Sequence, residues 1–197
     1  MITGLFTYNK QGEPTAQQSI VATLSGIAGN RQCHLLRQVL LLPALSLTLF
    51  DLKETALKEN IIFNMGADIY QLASGTVLRF GETEIRLTFH CEPCQKIKPT
   101  ISPKKIMHQR GYLGQIVKAG SIQLGDTITV LDKRYDAIPY EKAERIKWYL
   151  DQQNDPVMVA KLVADIGLPK SYCRAVPNII RNRTDIDKSK IIYANRA

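Results

Sequence analysis

The chain has 197 residues, 45% hydrophobic and 22% charged, with no low-complexity stretch and no internal repeat of solenoid length. That composition excludes a disordered chain and a repeat array, and it leaves one compact domain or a larger domain with a small second one. The formal net charge of +8 points to an anionic partner, but sign alone does not choose between a nucleic acid, a membrane surface and a phosphorylated cofactor.

Up to about residue 135 the sequence alternates between short strand-like runs and turns. ITGLFTY (2–8), SIVATL (19–24), TVLRF (76–80), EIRLTF (84–89), GQIVKAG (114–120) and DTITVL (126–131) are β-branched or alternating, and KQGEP, SGIAGN, LASG, FGET and QLGD punctuate them. One longer segment, RQVLLLPALSLTLFDLKETALK (37–58), carries leucines at helical spacing and predicts a helix starting near Pro43, where proline suits a first turn. The longest apolar run, Val39 to Phe50, is too short to span a bilayer and contains that proline, so no membrane partner is expected. The opening MITGLFTYNKQGEP lacks a basic stretch followed by an apolar one, which predicts a cytoplasmic location.

After LDKRYDAIPYE (131–141) the texture changes. EKAERIKWYLDQQ (141–153), DPVMVAKLVADIG (155–167) and PKSYCRAVPNIIRN (169–182) predict three helices, the second opened by Asp155-Pro156 and stopped by Gly167. The turn GLPK between two of them outlines a helix-turn-helix. Trp148 and Tyr149 are expected in packing, not in base stacking. The expected class is therefore α+β: a β-barrel-like domain over residues 1–135, followed by a small, mostly helical, winged-helix-like domain over 136–197.

The chemistry concentrates at HCEPCQKIKP (90–99). A C-x-x-C pair fits a redox couple, half of a metal site, or one working thiol with a bystander. Four cysteines are too few for a disulfide scaffold, so any role rests on thiol chemistry. A zinc site needs a second ligand pair, for which Cys33-His34 is an awkward candidate, and a thioredoxin-type pair needs a helix that Pro99 and Pro103 interrupt. A working thiolate is stabilised by nearby cations, and Lys96, Lys98 and Arg86 are close in sequence or on the preceding strand-like run.

GIAGNRQ (26–32), RQVLLL (37–42), ENI (59–61), LASGTVLRFGETEIRLT (72–88), CEPCQKI (91–97) and RGYLGQIVKAGSIQLGDTITVL (110–131) occur in order. The series resembles the MOSC domain of molybdenum cofactor sulfurases and mitochondrial amidoxime-reducing proteins, across roughly residues 1–132. The resemblance implies a β-rich fold in which Cys94 is the thiolate that ligates molybdenum in a pterin cofactor, molybdopterin, or carries sulfur as a persulfide. It implies that Arg31, Arg37, Asn60, Lys96 and Arg110 face that cofactor, whose phosphate and hydrogen-bonding edges suit arginines and backbone donors. Many relatives carry Gly-Asp where this chain has Gly29-Asn30, which puts in doubt any step requiring that carboxylate. The implied function is an oxidoreductase or sulfur-transfer protein acting on a small-molecule substrate or sulfur donor, with redox proteins as candidate partners.

VAKLVADIGLPKSYCRAVPNIIRN (159–182) resembles the DNA-binding part of the alkylguanine-DNA alkyltransferase and alkyltransferase-like family. There the arginine matched by Arg174 enters the duplex as a base is flipped out. The resemblance implies DNA as a partner, with Lys170, Arg174, Arg181 and Arg183 on the nucleic acid, and a lesion-sensing alternative function. Ala194 and Asn195 stand where the family carries its acceptor cysteine and histidine, so alkyl transfer through that site is excluded. Val159 stands where its DNA-rotating tyrosine is expected.

Overall fold

The computed structural model describes residues 1–31, 34–66, 68–92 and 97–193. The chain divides into two compact units, Met1–Ala137 and Ile138–Ala197.

The first unit is built on strands β1 (Ile2–Tyr8), β2 (Pro14–Ala16), β3 (Ser19–Thr23), β4 (Gly26–Ile27), β5 (Val39–Pro43), β6 (Ile61–Phe63), β7 (Thr76–Phe80), β8 (Thr83–His90), β9 (Tyr112–Lys118), β10 (Gly120–Gln123) and β11 (Ile128–Arg134). Eight of them form one sheet in the order β11-β7-β8-β9-β5-β6-β1-β2, and β10-β3-β4 form a second. Central β8 is buried along both faces, whereas β2 is exposed throughout. All the sheet pairings are antiparallel except β5 with β6, a parallel pair in which Leu41 stands beside Ile61. Leu41, Ile61, Phe63, Leu78, Phe80, Ile85 and Leu87 are fully enclosed, with Phe63 and Phe80 edge to face. A second cluster joins Phe6, Tyr8, Leu42 and Leu57 to Ile97 and Ile106 from the long connection between β8 and β9.

The expected barrel is corrected to an open sheet. Among the described residues its edge strands β11 and β2 do not pair. Instead Ile2 exchanges two backbone hydrogen bonds of 2.9 Å with the turn at Gly125-Asp126. The leucine-rich segment is also more divided than its spacing suggests. VLLLP is strand β5, and helix α1 begins after Pro43 as expected but covers only Ala44–Leu49. Asp51, Thr55 and Lys58 then take left-handed backbone angles that no helix can contain.

In the second unit, α2 (Lys142–Asp151) buries Arg145, Ile146, Tyr149 and Leu150, one face at helical spacing. Strand β12 (Val157–Met158) pairs in parallel with β13 (Ile191–Ile192), between which lie α3 (Val159–Asp165) and α4 (Val176–Ile179). Gly167 at φ +72° ends α3: its N–H reaches Ala164 O, and Leu168 N–H reaches Val163 O. Two of the three expected helices are shorter than predicted. Residues 157–158 are strand, and the third helix is a 3-10 segment, Lys170–Arg174, followed by the single turn of α4 with Pro177 in it. The stretch matched to a recognition helix is therefore not a continuous helix.

Candidate functional site

Residues 93–96, with Cys94 and Lys96, lie outside the described residues, but the segments on either side are firmly anchored. Cys91, 2% exposed, follows the end of β8 and donates its N–H to Gly111 O at 2.8 Å. Arg110, 4% exposed, donates from Nη1 to Glu92 O at 2.5 Å and from Nη2 to Leu57 O at 3.4 Å. On the far side, fully buried Ile97 and Ile106 pin the connection to the core. A buried guanidinium thus grips the backbone of Glu92, two residues before Cys94, adding positive charge to a segment that already carries lysines.

An aromatic and imidazole cluster adjoins this anchor. The His90 ring lies 4.6 Å from Tyr112, 5.8 Å from Tyr70 and 6.1 Å from His108, and its Nδ1 is 3.3 Å from His108 O. Burial lowers the His90 pKa below its ordinary value, against a smaller opposing effect of the His108 carbonyl. The Tyr70 hydroxyl donates to Gln109 O at 2.8 Å, accepts from Gly111 N–H at 3.1 Å and meets Ser46 Oγ at 2.9 Å. Burial pushes the phenols of Tyr70 and Tyr112 up to about 12, so both stay protonated. Sequence reasoning did not single out this cluster. The available signal was that two of the chain's three histidines flank the cysteine and arginine segments.

Arg31 sits on a separate cleft of about 310 Å³, lined by Thr23, Ser25, Gly26, Asn30, Arg31 and Gln38 among others. Asn30 Oδ1 accepts the Tyr8 N–H at 2.7 Å, and Arg31 N–H donates to Tyr8 O at 2.7 Å, so the Gly29-Asn30-Arg31 turn is clipped to the end of β1. The guanidinium of Arg31 lies 5.6 Å from the Tyr8 ring centroid, with Lys58 Nζ 5.8 Å from the same ring. Among the described residues no carboxylate lines the cleft, and its polar groups suit an anionic ligand with hydrogen-bonding edges.

The segment 57–60 joins the two regions. Leu57 O meets Arg110, while Glu59 O accepts the Tyr8 hydroxyl at 2.9 Å. The Glu59 carboxylate is enclosed and accepts Thr55 N–H at 2.5 Å and Leu57 N–H at 3.1 Å, yet burial raises its pKa overall. Asn60 is buried and braces strands: Oδ1 accepts Leu40 N–H at 3.0 Å and Nδ2 donates to Phe6 O at 3.1 Å. Arg37 is half-buried in the 3-10 turn Leu35–Arg37, next to Gln38 of the cleft lining.

In the second unit Lys170 and Arg174 are exposed at the two ends of the 3-10 segment. Arg181 is held by Asn178 Oδ1, and Arg183 is engaged by acids, forking onto Asp185 at 2.7 and 2.6 Å and reaching Glu144 at 2.7 Å. Among the described residues, no three His, Cys, Asp or Glu side chains gather as a metal site. No helix among them is long and apolar enough to cross a membrane.

The MOSC domain family model matches residues 28–129, a span that includes Asn30, Arg31 and Gln38 of the first cleft and the whole Cys91–Gly111 segment. Among solved structures, the chain is similar to YiiM from Escherichia coli (TM-score 0.57, 18% identity, 98% of each chain covered). It is also similar to the YUAD protein from Bacillus subtilis (TM-score 0.57, 15% identity, 68% of this chain and 96% of that one). YiiM from Geobacillus stearothermophilus gives a TM-score of 0.52 at 13% identity over 91% of this chain and 96% of that one. At these identities the likeness is one of fold. No curated protein matches the sequence.

Proposed function

Because the chain belongs to the MOSC domain family, we propose that it binds a molybdenum–pterin cofactor, with Cys94 as thiolate ligand to the metal. The observation that carries this reading is that one family match takes in both Arg31, on a cleft with no carboxylate among its described lining residues, and the cysteine segment gripped by Arg110. Arg31, with the amide of Asn30, would hold the anionic, hydrogen-bonding part of the cofactor, and Arg37 and Lys96 would add positive charge. When bound, the group supplies two-electron redox chemistry at molybdenum.

The protein's own contribution is positional and electrostatic. Arg110 and the Cys91–Gly111 hydrogen bond fix the start of the cysteine segment, and a thiol becomes a metal ligand only as thiolate, which neighbouring cations favour. His90 and the two protonated phenols make the adjoining wall half-buried and neutral. The reaction class in this reading is an oxidoreductase acting on a small molecule and supplied with electrons by a partner protein.

The test is elemental and pterin analysis of protein from a host that makes the cofactor, beside Cys94→Ser. Near-stoichiometric molybdenum and pterin in the wild type, with molybdenum lost from the mutant, is the expected result. A wild type with neither, carrying instead a sulfur adduct on Cys94 by mass, would replace this reading with that of a sulfur carrier.

A further inference from the structure

We propose that the cleft between α1 and residues 63–66 and 68–70 is a binding site for a small molecule with an apolar body and one basic nitrogen, the nitrogen pairing with Asp68. This cleft is distinct from the Arg31 cleft and has a volume of about 380 Å³, within the range of small-molecule sites. Its walls are mostly apolar, from Leu45, Leu49, Phe63, Met65 and Ile69. Leu45 and Leu49, one helical turn apart on α1, are 70% and 62% exposed, an apolar lip that the protein's own core does not use.

The polar side of the cleft selects the charge. Asp68 is the one Asp, Glu, Lys or Arg among its described lining residues, in a protein whose net charge is +8. One Asp68 oxygen caps the 3-10 turn Ile69–Gln71 by accepting Tyr70 N–H at 2.9 Å, and no Lys or Arg forms an ion pair with it among the described residues. Among the other polar groups of the lining, the Tyr70 hydroxyl gives its proton to Gln109 O, Ser46 Oγ and Gly111 N–H also meet it, Asn64 O takes the Met1 ammonium, and the side-chain amides of Asn64 and Gln109 are neutral. A carboxylate ligand would therefore meet Asp68 and no Lys or Arg of the described lining, the Met1 ammonium being taken by Asn64 O, whereas an ammonium would gain a charge-assisted hydrogen bond.

That the molecule bound here is also the substrate of the Cys94 chemistry rests on the preceding reading, and the binding itself does not. The link is Gly111, whose N–H meets the Tyr70 hydroxyl in the cleft wall and whose carbonyl holds Cys91.

The experiment uses the 15N-labelled full chain without cofactor, titrated with 2-phenylethylamine, 3-phenylpropionate and 2-phenylethanol. The amine is expected to move the amides of Tyr70, Gln109 and Gly111 saturably, and the carboxylate to bind at least about tenfold more weakly. Asp68→Asn keeps the cap, since asparagine caps as well as aspartate, and should abolish the preference for amine over alcohol. Leu45→Ser with Leu49→Ser, both at exposed positions, should weaken all three ligands. No saturable shift with the amine, equal binding of the carboxylate, or an undiminished amine preference in Asp68→Asn overturns the site. Alkylation of Cys94 by iodoacetamide, followed by peptide mass, should slow under saturating amine; binding without slowing would leave the cleft standing and remove its link to Cys94. None of these readouts depends on molybdenum, so failure here and failure of the cofactor reading are separable.

Discussion

The amide of Cys91 and the hydroxyl of Tyr70 are held by one residue: Gly111 takes the first on its carbonyl at 2.8 Å and meets the second with its N–H at 3.1 Å. That residue has to be glycine. Its φ is +99°, and a Cβ there would lie 2.6 Å from Leu41 O in the neighbouring strand. Gly111→Ala should therefore cost about 2 kcal/mol or more, strain and displaced backbone together. Urea denaturation would show it as a lowered midpoint, and a wild-type midpoint would refute the close approach.

Arg110 makes a second prediction, because its two acceptors belong to segments far apart in sequence. Arg110→Met leaves the Glu92 and Leu57 carbonyls without their guanidinium donor, at a cost of about 2–4 kcal/mol. Arg110→Lys should recover part of the stability, since an ammonium can serve one carbonyl and not the forked pair. Hydrogen exchange at the Cys91 amide should quicken in both variants, and cofactor content, where present, should fall with it. A merely space-filling Arg110 would leave that amide protected in Arg110→Met.

His90 links the site to pH. The groups facing it among the described residues include the His108 ring and carbonyl, the rings of Tyr70 and Tyr112 and, by charge, Asp68. Burial puts its folded pKa below the ordinary 6.5. Below 6.5 the unfolded chain binds a proton that the folded one declines, so this contribution to stability is complete above that pH and is lost as the pH falls toward the folded value. NMR of the imidazole should give a midpoint under 6.5, and His90→Phe should remove the matching slope from the stability curve. A midpoint at or above 6.5 would falsify the account.

How far the sequence speaks for the structure depends on whether the signal is local. ITGLFTY, TVLRF and EIRLTF declare themselves by β-branched residues between turn formers, and Gly167 stops α3 where it was expected to. VLLL did not, because a strand buried on both faces has no alternation, and its leucines match a helix as well as β5. The pairing of Arg110 with Glu92 and Leu57, and the meeting of Tyr70 with Gly111, are contacts across the fold that no spacing encodes. Arg31 and Cys94 were singled out through resemblance to a family, and Asp68 and His90 were not, since neither belongs to its motifs.

Two arginines of the second unit carry the last prediction, and they reverse what a tally of ion pairs suggests. Arg183 contacts two carboxylates, which raise its pKa, but its own side chain is only partly covered and those of Glu144 and Asp185 are about half exposed, and pairs so open to solvent contribute little after screening and side-chain entropy. Arg145 is fully enclosed within α2 and donates to the carbonyls of Pro139 at 2.8 Å, Tyr140 at 2.6 Å and Ile166 at 3.4 Å, tying the start of the unit to the end of α3. Removing such a buried donor strands several acceptors at once, so Arg145→Met should lose about 3 kcal/mol or more, whereas Arg183→Gln should leave the melting midpoint nearly unchanged in moderate salt. The same contrast bears on nucleic acid. A phosphate has to compete with Asp185 and Glu144 for Arg183, while Lys170 and Arg174 stand exposed. If duplex DNA binds at all, Arg174→Ala and Lys170→Ala should flatten the salt dependence of its affinity and Arg183→Gln should not. An Arg183 effect as large as that of Arg174 in a salt titration would mean that the acids release it on binding.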